Sequence, residues 1–551
     1  MREVVRVWLA AVGAGLTVLV GAQEAAPRLD SIRQADLRAD LFFLAGDGMR
    51  GRLTNTPENA LAAEWIKARF ERLGLKPAGA RDSYYQAYNL MTATIGKTNE
   101  IDVGKQTSRL RRTAGQDFYP LRFSATGEAS GEVVFAGFGI SSPERKYDDY
   151  AAGAVKGKIV LVIDHEPGET DPNSPFDGVV TAQAANPLLK TLAAQAHGAA
   201  AILFVNDVHN HAGAEENFEA SARTYWPERQ PRIDSFTLAA WMEKVWIPAA
   251  QISTALAASL VESSGRTLEE LSRASETAAG ITPLPLKGPQ VTVTTSVDRH
   301  VVPDRNVLAV LEGSDPALKD EWVIVCAHID HNGADGADVF NGADDDGSGI
   351  VGLLEIAEAY MLAAADGRRP RRSVLFAAWN SEERGLLGAW AYTEKPTVPL
   401  DRIVAVLNMD MIGRNEEVPV GGGSRFRGLD LQTAESNRNA VNVIGTTRSA
   451  TLKAAIERAN SGIGLELKLR YDNNASNLMR RSDHWPFLQR GVPGVWFHSG
   501  LHPDYHTVYD RPEKINYEKM EKIARLVYQT SWELAGAQTK PRLDTYAPTK
   551  F

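Results

Sequence analysis

The chain has 551 residues, of which 44% are hydrophobic and 23% are charged. This composition is typical of globular proteins and unlike that of disordered, collagen-like or polytopic membrane proteins. The formal net charge is −9 at pH 7, so no overall positive field would attract nucleic acid. The single cysteine, Cys326, excludes an internal disulfide and thiolate metal clusters. A metal in this protein would therefore be bound by histidine and carboxylate side chains.

The first 22 residues have the pattern of a secretory signal peptide. Arg2 and Arg6 precede an apolar run over residues 7–20, and Val20-Gly21-Ala22 fits a cleavage site. The run is about 14 residues long, whereas a membrane-spanning helix needs about 20. A short membrane anchor is the alternative interpretation. Because no later stretch has the length and apolarity of a membrane span, we expect an exported protein, periplasmic or secreted, without stable membrane insertion.

The next part of the chain begins with helical patterns and then changes to short β-type runs. Apolar residues recur at helical spacing over residues 37–44 and 60–73, and the second pattern ends at Gly74, which suits a helix C-cap. From about Gly127, apolar runs separated by turn residues predict strands at residues 132–140, 158–163 and 199–205. We interpret residues 126–290 as a separate, strand-rich module.

From Asn306 onward, near-continuous apolar runs alternate with helical patterns. Such runs are typical of parallel strands that are covered on both faces. The runs occupy residues 307–311, 322–327, 373–379, 403–409 and 494–497, and the helical patterns include residues 350–362 and 517–534. We therefore predict an α/β domain with a mostly parallel central sheet and helices on both faces.

Residue types that bind metals follow these predicted strands. In open α/β sheets, ligands bind where the strands end at their carboxyl edge, so the polar residues just after each run are candidates. They are His328, Asp330 and His331 after the second run, Glu382 and Glu383 after the third, Asp410 after the fourth, the acidic cluster Asp344, Asp345 and Asp346 before a helix, and His502 and His506 near the C-terminus.

Taken singly, each of these residues would be a helix cap or a solvated surface residue. Taken together, carboxylates at the ends of buried strands would repel one another unless cations neutralised them. Histidines with several carboxylates suit Zn²⁺ better than Mg²⁺ or Ca²⁺. Since the candidates exceed one tetrahedral site, two ions could share a bridging carboxylate and leave one glutamate free to take a proton from water.

Five motifs, in their order along the chain, resemble the M28 family of co-catalytic dizinc peptidases. The resemblance covers residues from about 300 to 535 and implies a zinc-exopeptidase fold. The motifs are His328-x-Asp330, Gly342-Ala-Asp-Asp345-Asp-Gly-Ser-Gly, Glu382-Glu383, Asn408-Met-Asp410-Met and Asp504-Tyr-His506-Thr.

The same resemblance implies a role for each residue of the site. Asp345 would bridge two Zn²⁺ ions. His328 and Asp410 would complete one metal site, and Glu383 and His506 would complete the other. Glu382 would be the general base that deprotonates the attacking water and later protonates the leaving amine. Asp330 would accept a hydrogen bond from the His328 ring and so fix its tautomer.

The stretch Ser482-Asp483-His484 also matches a stretch common in that family. We expect these three residues to line or brace the pocket, and we treat them as candidate substrate-binding residues.

Other histidines have more ordinary interpretations. His331 is expected to be a loop or substrate-side residue, and His498 and His502 could touch the rim of the pocket. His209 and His211, in the strand-rich module, are expected to be surface loop residues.

The strand-rich module resembles a protease-associated (PA) domain. The matching pieces are Tyr147-Asp-Asp-Tyr, residues 155–162 and residues 198–205. The resemblance implies a β-rich α+β insertion over residues 126–290, between an N-terminal part of the peptidase domain (28–125) and the M28 catalytic domain (295–540). Such a module would wall or cover the cleft; a passive spacer is the alternative.

The function expected from these residues and resemblances is zinc-dependent removal of N-terminal residues from peptides. Three alternatives stay open. A carboxypeptidase would need a cation in the pocket, for which Arg414, Arg480 and Arg481 are candidates. A glutaminyl-cyclase-like transferase would use one zinc ion, and a non-catalytic receptor-like protein should have lost metal ligands.

Overall fold

The computed structural model describes residues 25–105, 108–150, 153–211, 213 and 217–544. The predicted signal peptide, residues 1–22, lies outside the described residues. The described chain forms two large sheets, each with its own hydrophobic core.

The larger sheet has ten strands and carries helices on both faces. In the strand Trp322–His328, Val323 and Val325 pack into the core on one face of the sheet, whereas Ile324 and Cys326 pack on the opposite face. In spatial order the strands are Thr237–Leu238, Tyr85–Ile95, Val297–Leu311, Ser373–Trp379, Trp322–His328, Ile403–Met409, Gly494–His498, Ala440–Ile444 and Glu466–Lys468, and Lys76–Pro77 pairs with Val297–Leu311. The helices are Gln34–Leu44, Pro57–Leu73, Gly349–Ala365, Leu387–Glu394, Ala450–Asn460, His484–Leu488 and Tyr517–Gly536.

The α/β fold is confirmed, but this sheet is mixed. The four middle strands, from Ser373–Trp379 to Gly494–His498, run parallel. Tyr85–Ile95, Val297–Leu311 and Ala440–Ile444 add antiparallel pairings on either side. Apolar runs mark strands that are buried on both faces, but the direction of a strand depends on the path of the connecting chain, which those runs do not specify.

The second sheet has eight strands and forms the core of the strand-rich module. Its strands in spatial order are Ser108–Thr113, Glu100–Lys105, Leu284–Thr295, Gly127–Phe135, Ile159–Ile163, Ala201–Val205, Ala249–Ile252 and Phe118–Pro120. Its helices include Pro187–Ala196, Phe218–Tyr225, Thr254–Val261 and Leu268–Ala274, whereas Ala239–Met242 packs against Tyr85–Ile95 and Thr237–Leu238 of the larger sheet. The predicted start at residue 126 stays a prediction; strands from residues 100–120 hydrogen-bond into this sheet as well.

Among the described residues, one helical stretch, residues 343–365, is long and apolar enough to cross a membrane. This differs from our expectation that no such stretch follows the N-terminus. In the structure 72% of its apolar window is buried, and Ile350, Leu353 and Ile356 pack against the central sheet. Burial of this kind is expected for a core helix that covers a sheet.

Candidate metal centre

The carboxyl ends of three neighbouring parallel strands bring the first group of ligand residues together. Trp322–His328 lies between Ser373–Trp379 and Ile403–Met409, so His328, Glu382 and Asp410 meet at one edge of the sheet. The Nε2 atom of His328 lies 3.6 Å from Oδ1 of Asp410 and 3.8 Å from Oε2 of Glu382.

A second group forms beside the first from His331, Asp345, Glu383 and His506. The Nε2 atom of His506 lies 3.1 Å from Oε1 of Glu383, and Nδ1 of His331 lies 2.8 Å from the same oxygen. The two groups share one carboxylate. Oδ1 of Asp345 is 3.3 Å from Nε2 of His328, and Oδ2 is 2.9 Å from Nε2 of His506. Asp345 is therefore shared between the two groups of candidate ligands.

The neighbours of Asp345 explain why three aspartates occur in a row. Asp346 turns away from the cleft and accepts hydrogen bonds from the main-chain N–H groups of His328, Gly349 and Met411. On the other side, Asp510 accepts hydrogen bonds from the main-chain N–H groups of Asp344 and Asp345. These contacts tie the acidic loop to two strand ends and to the Asp510 loop, and they leave the Asp345 carboxylate facing both groups.

Asp330 lies beside His328, but its contacts differ from the expected ones. Nδ1 of His328 is 3.1 Å from the main-chain oxygen of Asp330 and 3.8 Å from Oδ1 of its carboxylate. The carboxylate instead accepts hydrogen bonds from the main-chain N–H of Glu382 at 2.9 Å and from Oγ1 of Thr54. Asp330 thus orients the imidazole through its carbonyl and fixes the Glu382 turn through its side chain.

The structure places Ser482, Asp483 and His484 behind the site. All three are fully buried, and none of them lines the cleft, so a substrate-contacting position does not fit them. Ser482 instead donates a hydrogen bond of 2.5 Å to Oδ2 of Asp410 and accepts one from the side chain of Asn408. The stretch braces a metal-ligand candidate because it opens a short helix packed under the strand ends.

Sequence reasoning underrated His331. Its side chain is fully buried and joins the second group, a position that the spacing His328-x-x-His331 after a strand could have indicated. His498 and His502 are also buried rather than at the rim. His498 faces the main-chain oxygen of Asp410, at 3.2 Å.

Arg52 is a second residue that the sequence did not indicate. It is fully buried, and its guanidinium donates hydrogen bonds to the main-chain oxygens of Leu44, Ile329, Asn341 and Gly342. It therefore ties the N-terminal segment to the loops that carry the metal-ligand candidates.

The electrostatics of the site fit a bound cation. Burial raises the pKa of Glu382 well above its usual range. The neighbouring His328 opposes this rise, and the Asp410 carboxylate adds to it. Burial alone would also raise the pKa of Asp345, but His331 and His328 hold it well below its usual value. Nε2 of His328 is buried and makes no hydrogen bond within the described chain. Nitrogen and carboxylate donors converging in this way suit Zn²⁺.

A cleft of ≈ 210 Å³ opens over the two groups. Apolar side chains, including Leu386, Met411 and Leu501, form part of its wall. Arg481 also lines it and donates a hydrogen bond to the hydroxyl of Tyr505 at 3.1 Å.

The other two arginines considered for binding a substrate carboxylate, Arg414 and Arg480, have partners within the protein. Arg414 pairs with Asp504 at 2.9 Å. Arg480 donates to the main-chain oxygen of Thr181 at 2.7 Å, so the strand-rich module contacts the wall of the cleft.

Comparisons with known proteins also relate this chain to metal-dependent peptidases. Residues 306–531 match the model of Peptidase family M28, and residues 129–260 match the PA domain. A probable zinc metalloprotease of Pyrenophora tritici-repentis is 25% identical over 257 residues, which are 43% of this chain and 58% of that protein. The probable glutamate carboxypeptidase AMP1 of Arabidopsis thaliana is 29% identical over 210 residues, 37% of this chain and 26% of that protein.

The matched part of the chain thus spans from about a quarter to somewhat over half of these curated relatives. Among solved structures, an aminopeptidase from Aneurinibacillus sp. strain AM-1 is similar, with a TM-score of 0.49, 17% identity, and coverage of 94% of this chain and 98% of that one. Residues 306–531 are thus a domain that matches peptidase family M28, and a region that matches the PA domain precedes it in the chain.

Proposed function

We propose that this protein is an aminopeptidase that uses two zinc ions to remove N-terminal residues from peptides. One observation carries the proposal: the two oxygens of Asp345 face two different groups of nitrogen and carboxylate ligands. Such a shared carboxylate is what a pair of ions about 3.5–4 Å apart requires.

The described side chains suffice for both ions. His328, Asp410 and Asp345 would hold one ion, and Asp345, Glu383 and His506 would hold the other. His331 is an additional ligand candidate for the second ion, since its Nδ1 faces Glu383 and Asp345. Two zinc ions bound here would polarise the scissile carbonyl and lower the pKa of a water molecule.

Glu382 is the residue placed to move the proton. It belongs to the cleft wall, its side chain is only 9% exposed, and its backbone is held by Asp330. Its carboxylate takes the proton of the attacking water and returns it to the leaving amine, the usual work of a general acid–base group.

Selectivity for an N-terminus would follow from the groups at the base of the cleft. The carboxylates of Asp345, Glu383 and Asp410 would be neutralised by the two ions, so the free α-amine of a peptide would bind one of the ions or a neighbouring carboxylate. The apolar part of the wall would take the first side chain of the peptide.

A carboxypeptidase is the second candidate, and Arg481 is the observation that favours it. Within the described part of the chain, no carboxylate forms an ion pair with the Arg481 guanidinium, although it lines the same cleft. It could therefore bind the terminal carboxylate of a peptide, as an arginine commonly does.

The test compares substrates that are open at only one end. Aminoacyl anilides and C-terminally amidated peptides should be hydrolysed, N-acetylated peptides should not, and a chelator should abolish turnover. Hydrolysis of N-acetylated peptides from the C-terminus, lost in Arg481→Ala, would instead establish the carboxypeptidase.

The number of ions is tested by metal analysis of the folded protein. We expect two zinc ions in the catalytic site and the loss of at least one in Asp345→Ala. An Asp345→Ala protein with unchanged zinc content would contradict the bridging role.

Export is part of the proposal and rests on the N-terminal pattern of residues 1–22. Cell fractionation of the full chain, followed by N-terminal sequencing of the product, tests it. A product that stays in the cytoplasm with Met1 intact would refute export.

A further inference from the structure

A group of metal-ligand residues also occurs in the PA domain, apart from the catalytic centre. His165, Glu169 and His211 each offer one atom, and these atoms all lie within 4.8 Å of one another. Nδ1 of His165 is 2.9 Å from Oε2 of Glu169, and Nε2 of His211 is 2.7 Å from Oε1 of the same carboxylate. The sequence had suggested only an ordinary surface loop position for His211.

The sheet of the PA domain explains why these residues meet. Ile159–Ile163 and Ala201–Val205 are adjacent parallel strands, with Ile163 paired to Val205. His165 follows the first strand and His211 lies in the loop after the second, so both lie at the carboxyl edge of the sheet. This is the position at which open α/β sheets bind their ligands.

Both loops are held in place by buried or partly buried carboxylates. Glu276 accepts hydrogen bonds from the main-chain N–H of Gly168 at 2.7 Å and from the side chain of Asn210 at 2.6 Å. Asp207 accepts one from the main-chain N–H of His209 at 2.9 Å. The three ligand residues are therefore presented by loops whose relative position is fixed, which is a requirement for metal affinity.

The contacts in this group resemble those of the catalytic centre. There, two histidine nitrogens lie 2.8 and 3.1 Å from one oxygen of Glu383; here, two histidine nitrogens lie 2.9 and 2.7 Å from the two oxygens of Glu169. The imidazole rings of His165 and His211 are 4.1 Å apart, centre to centre. Zinc bonds of about 2.0–2.2 Å would require only a small widening of these distances.

We propose that His165, Glu169 and His211 form a third metal site, for a divalent cation of the zinc class. Two imidazoles and one carboxylate favour such an ion over Mg²⁺ or Ca²⁺, which prefer oxygen ligands. The side chains of His165 and His211 are 42% and 36% exposed, so the ion is exchangeable and its remaining coordination position faces solvent.

The bound ion would stabilise the loop that reaches the catalytic cleft. The segment that starts at His165 continues to Thr181, whose main-chain N–H donates to Asn477 and whose main-chain oxygen accepts from Arg480 of the cleft wall. An ion at His165 and Glu169 joins the beginning of this segment to the neighbouring loop. It contributes to the stability of the PA domain and takes no part in the hydrolytic step.

The experiment measures zinc content by equilibrium dialysis of the full chain at micromolar free zinc, with mass spectrometry of the metal. His165→Ala/His211→Ala should bind one equivalent less than the wild type and hydrolyse an aminoacyl anilide at the wild-type rate. The matched control is His209→Ala, in the same loop, which should keep the wild-type zinc content. Equal zinc content in the wild type and the double variant would overturn the proposal, as would the same loss in the control.

Glu169→Gln provides an independent test if the double variant does not fold. It nearly preserves the shape of the side chain but removes the charge that the ion requires, so the same equivalent should be lost. Zinc should raise the melting temperature of the wild type more than that of Glu169→Gln, because the ion binds only the folded loops. Full zinc binding by a folded Glu169→Gln protein would show that the group is a pair of histidine–carboxylate hydrogen bonds without a metal.

Discussion

Replacing Glu382 by glutamine tests the proposed chemistry most directly. The side chain keeps its length and shape, and the hydrogen bond from its main-chain N–H to Asp330 is unaffected by the change. None of the residues proposed to bind zinc is altered. The variant therefore removes the proton acceptor of the cleft while leaving the two ligand groups around Asp345 in place.

The expected loss follows from the role of the group. General acid–base catalysis contributes about 10²–10⁴-fold to the rate, which corresponds to about 3–5 kcal/mol of transition-state stabilisation. No other carboxylate of the cleft is available as a substitute base, because Asp345, Glu383 and Asp410 are all placed to bind zinc. We therefore expect kcat for an aminoacyl anilide to fall by at least about 10²-fold, with zinc content unchanged.

Glu355→Gln is the matched control, because Glu355 is also buried but lies on the helix Gly349–Ala365 outside both ligand groups. It should retain wild-type turnover. Wild-type turnover in Glu382→Gln, measured on protein with its full zinc content, would refute the assignment of the base. Loss of zinc in that variant would instead show that Glu382 itself binds a zinc ion.

Three further predictions concern residues around the site. Ser482→Ala removes the hydrogen bond to Asp410 and should weaken zinc binding at that site about 10–100-fold, as measured by competition with a chelator; unchanged affinity would contradict the bracing role. Arg52→Met leaves four main-chain oxygens without their donor and should cost about 3–5 kcal/mol in urea unfolding; a wild-type midpoint would contradict this. Burial, with help from Asp36, raises the pKa of Glu355 from its ordinary 4.5 to about 8, so the folded state holds a proton that the unfolded state loses. The free energy of unfolding should therefore fall between these two pH values, by at most about 1.4 kcal/mol per unit for this group, and Glu355→Gln should remove that contribution.

Several parts of the fold could be predicted because they depend on local patterns. The four middle strands, including Trp322–His328 and Ile403–Met409, are continuous apolar runs, since both of their faces are buried. The antiparallel additions could not be predicted. Tyr85–Ile95 and the first part of Val297–Leu311 are only partly buried and contain no continuous apolar run. The two strands pair although they lie about 200 residues apart in the chain, and no local pattern carries information on such a pairing.

The position of the site could be predicted because parallel strands end at a common edge. His328, Glu382 and Asp410 each follow a strand of that set, so their proximity is a consequence of the topology. The role of Ser482 was harder to predict, because a buried polar residue that supports a metal-binding side chain has the same sequence pattern as one that contacts a substrate. The metal-ligand group of the PA domain was not predicted from the sequence. His165 and Glu169 lie on one loop and His211 on another, and the two loops meet only in the folded sheet.

The sequence by itself determined which side chains were available for metal chemistry and in which order the strands would present them. Only the tertiary structure decided that the two oxygens of Asp345 face different ligand groups, that His331 joins one of them, and that Asp330 contacts His328 through its carbonyl. The physical reason is that hydrophobic burial is encoded in local periodicity, whereas the direction of a single carboxylate is set by hydrogen bonds from residues distant in the chain. For Asp345 those bonds come from the Asp510 loop and from the strand ends that hold Asp346.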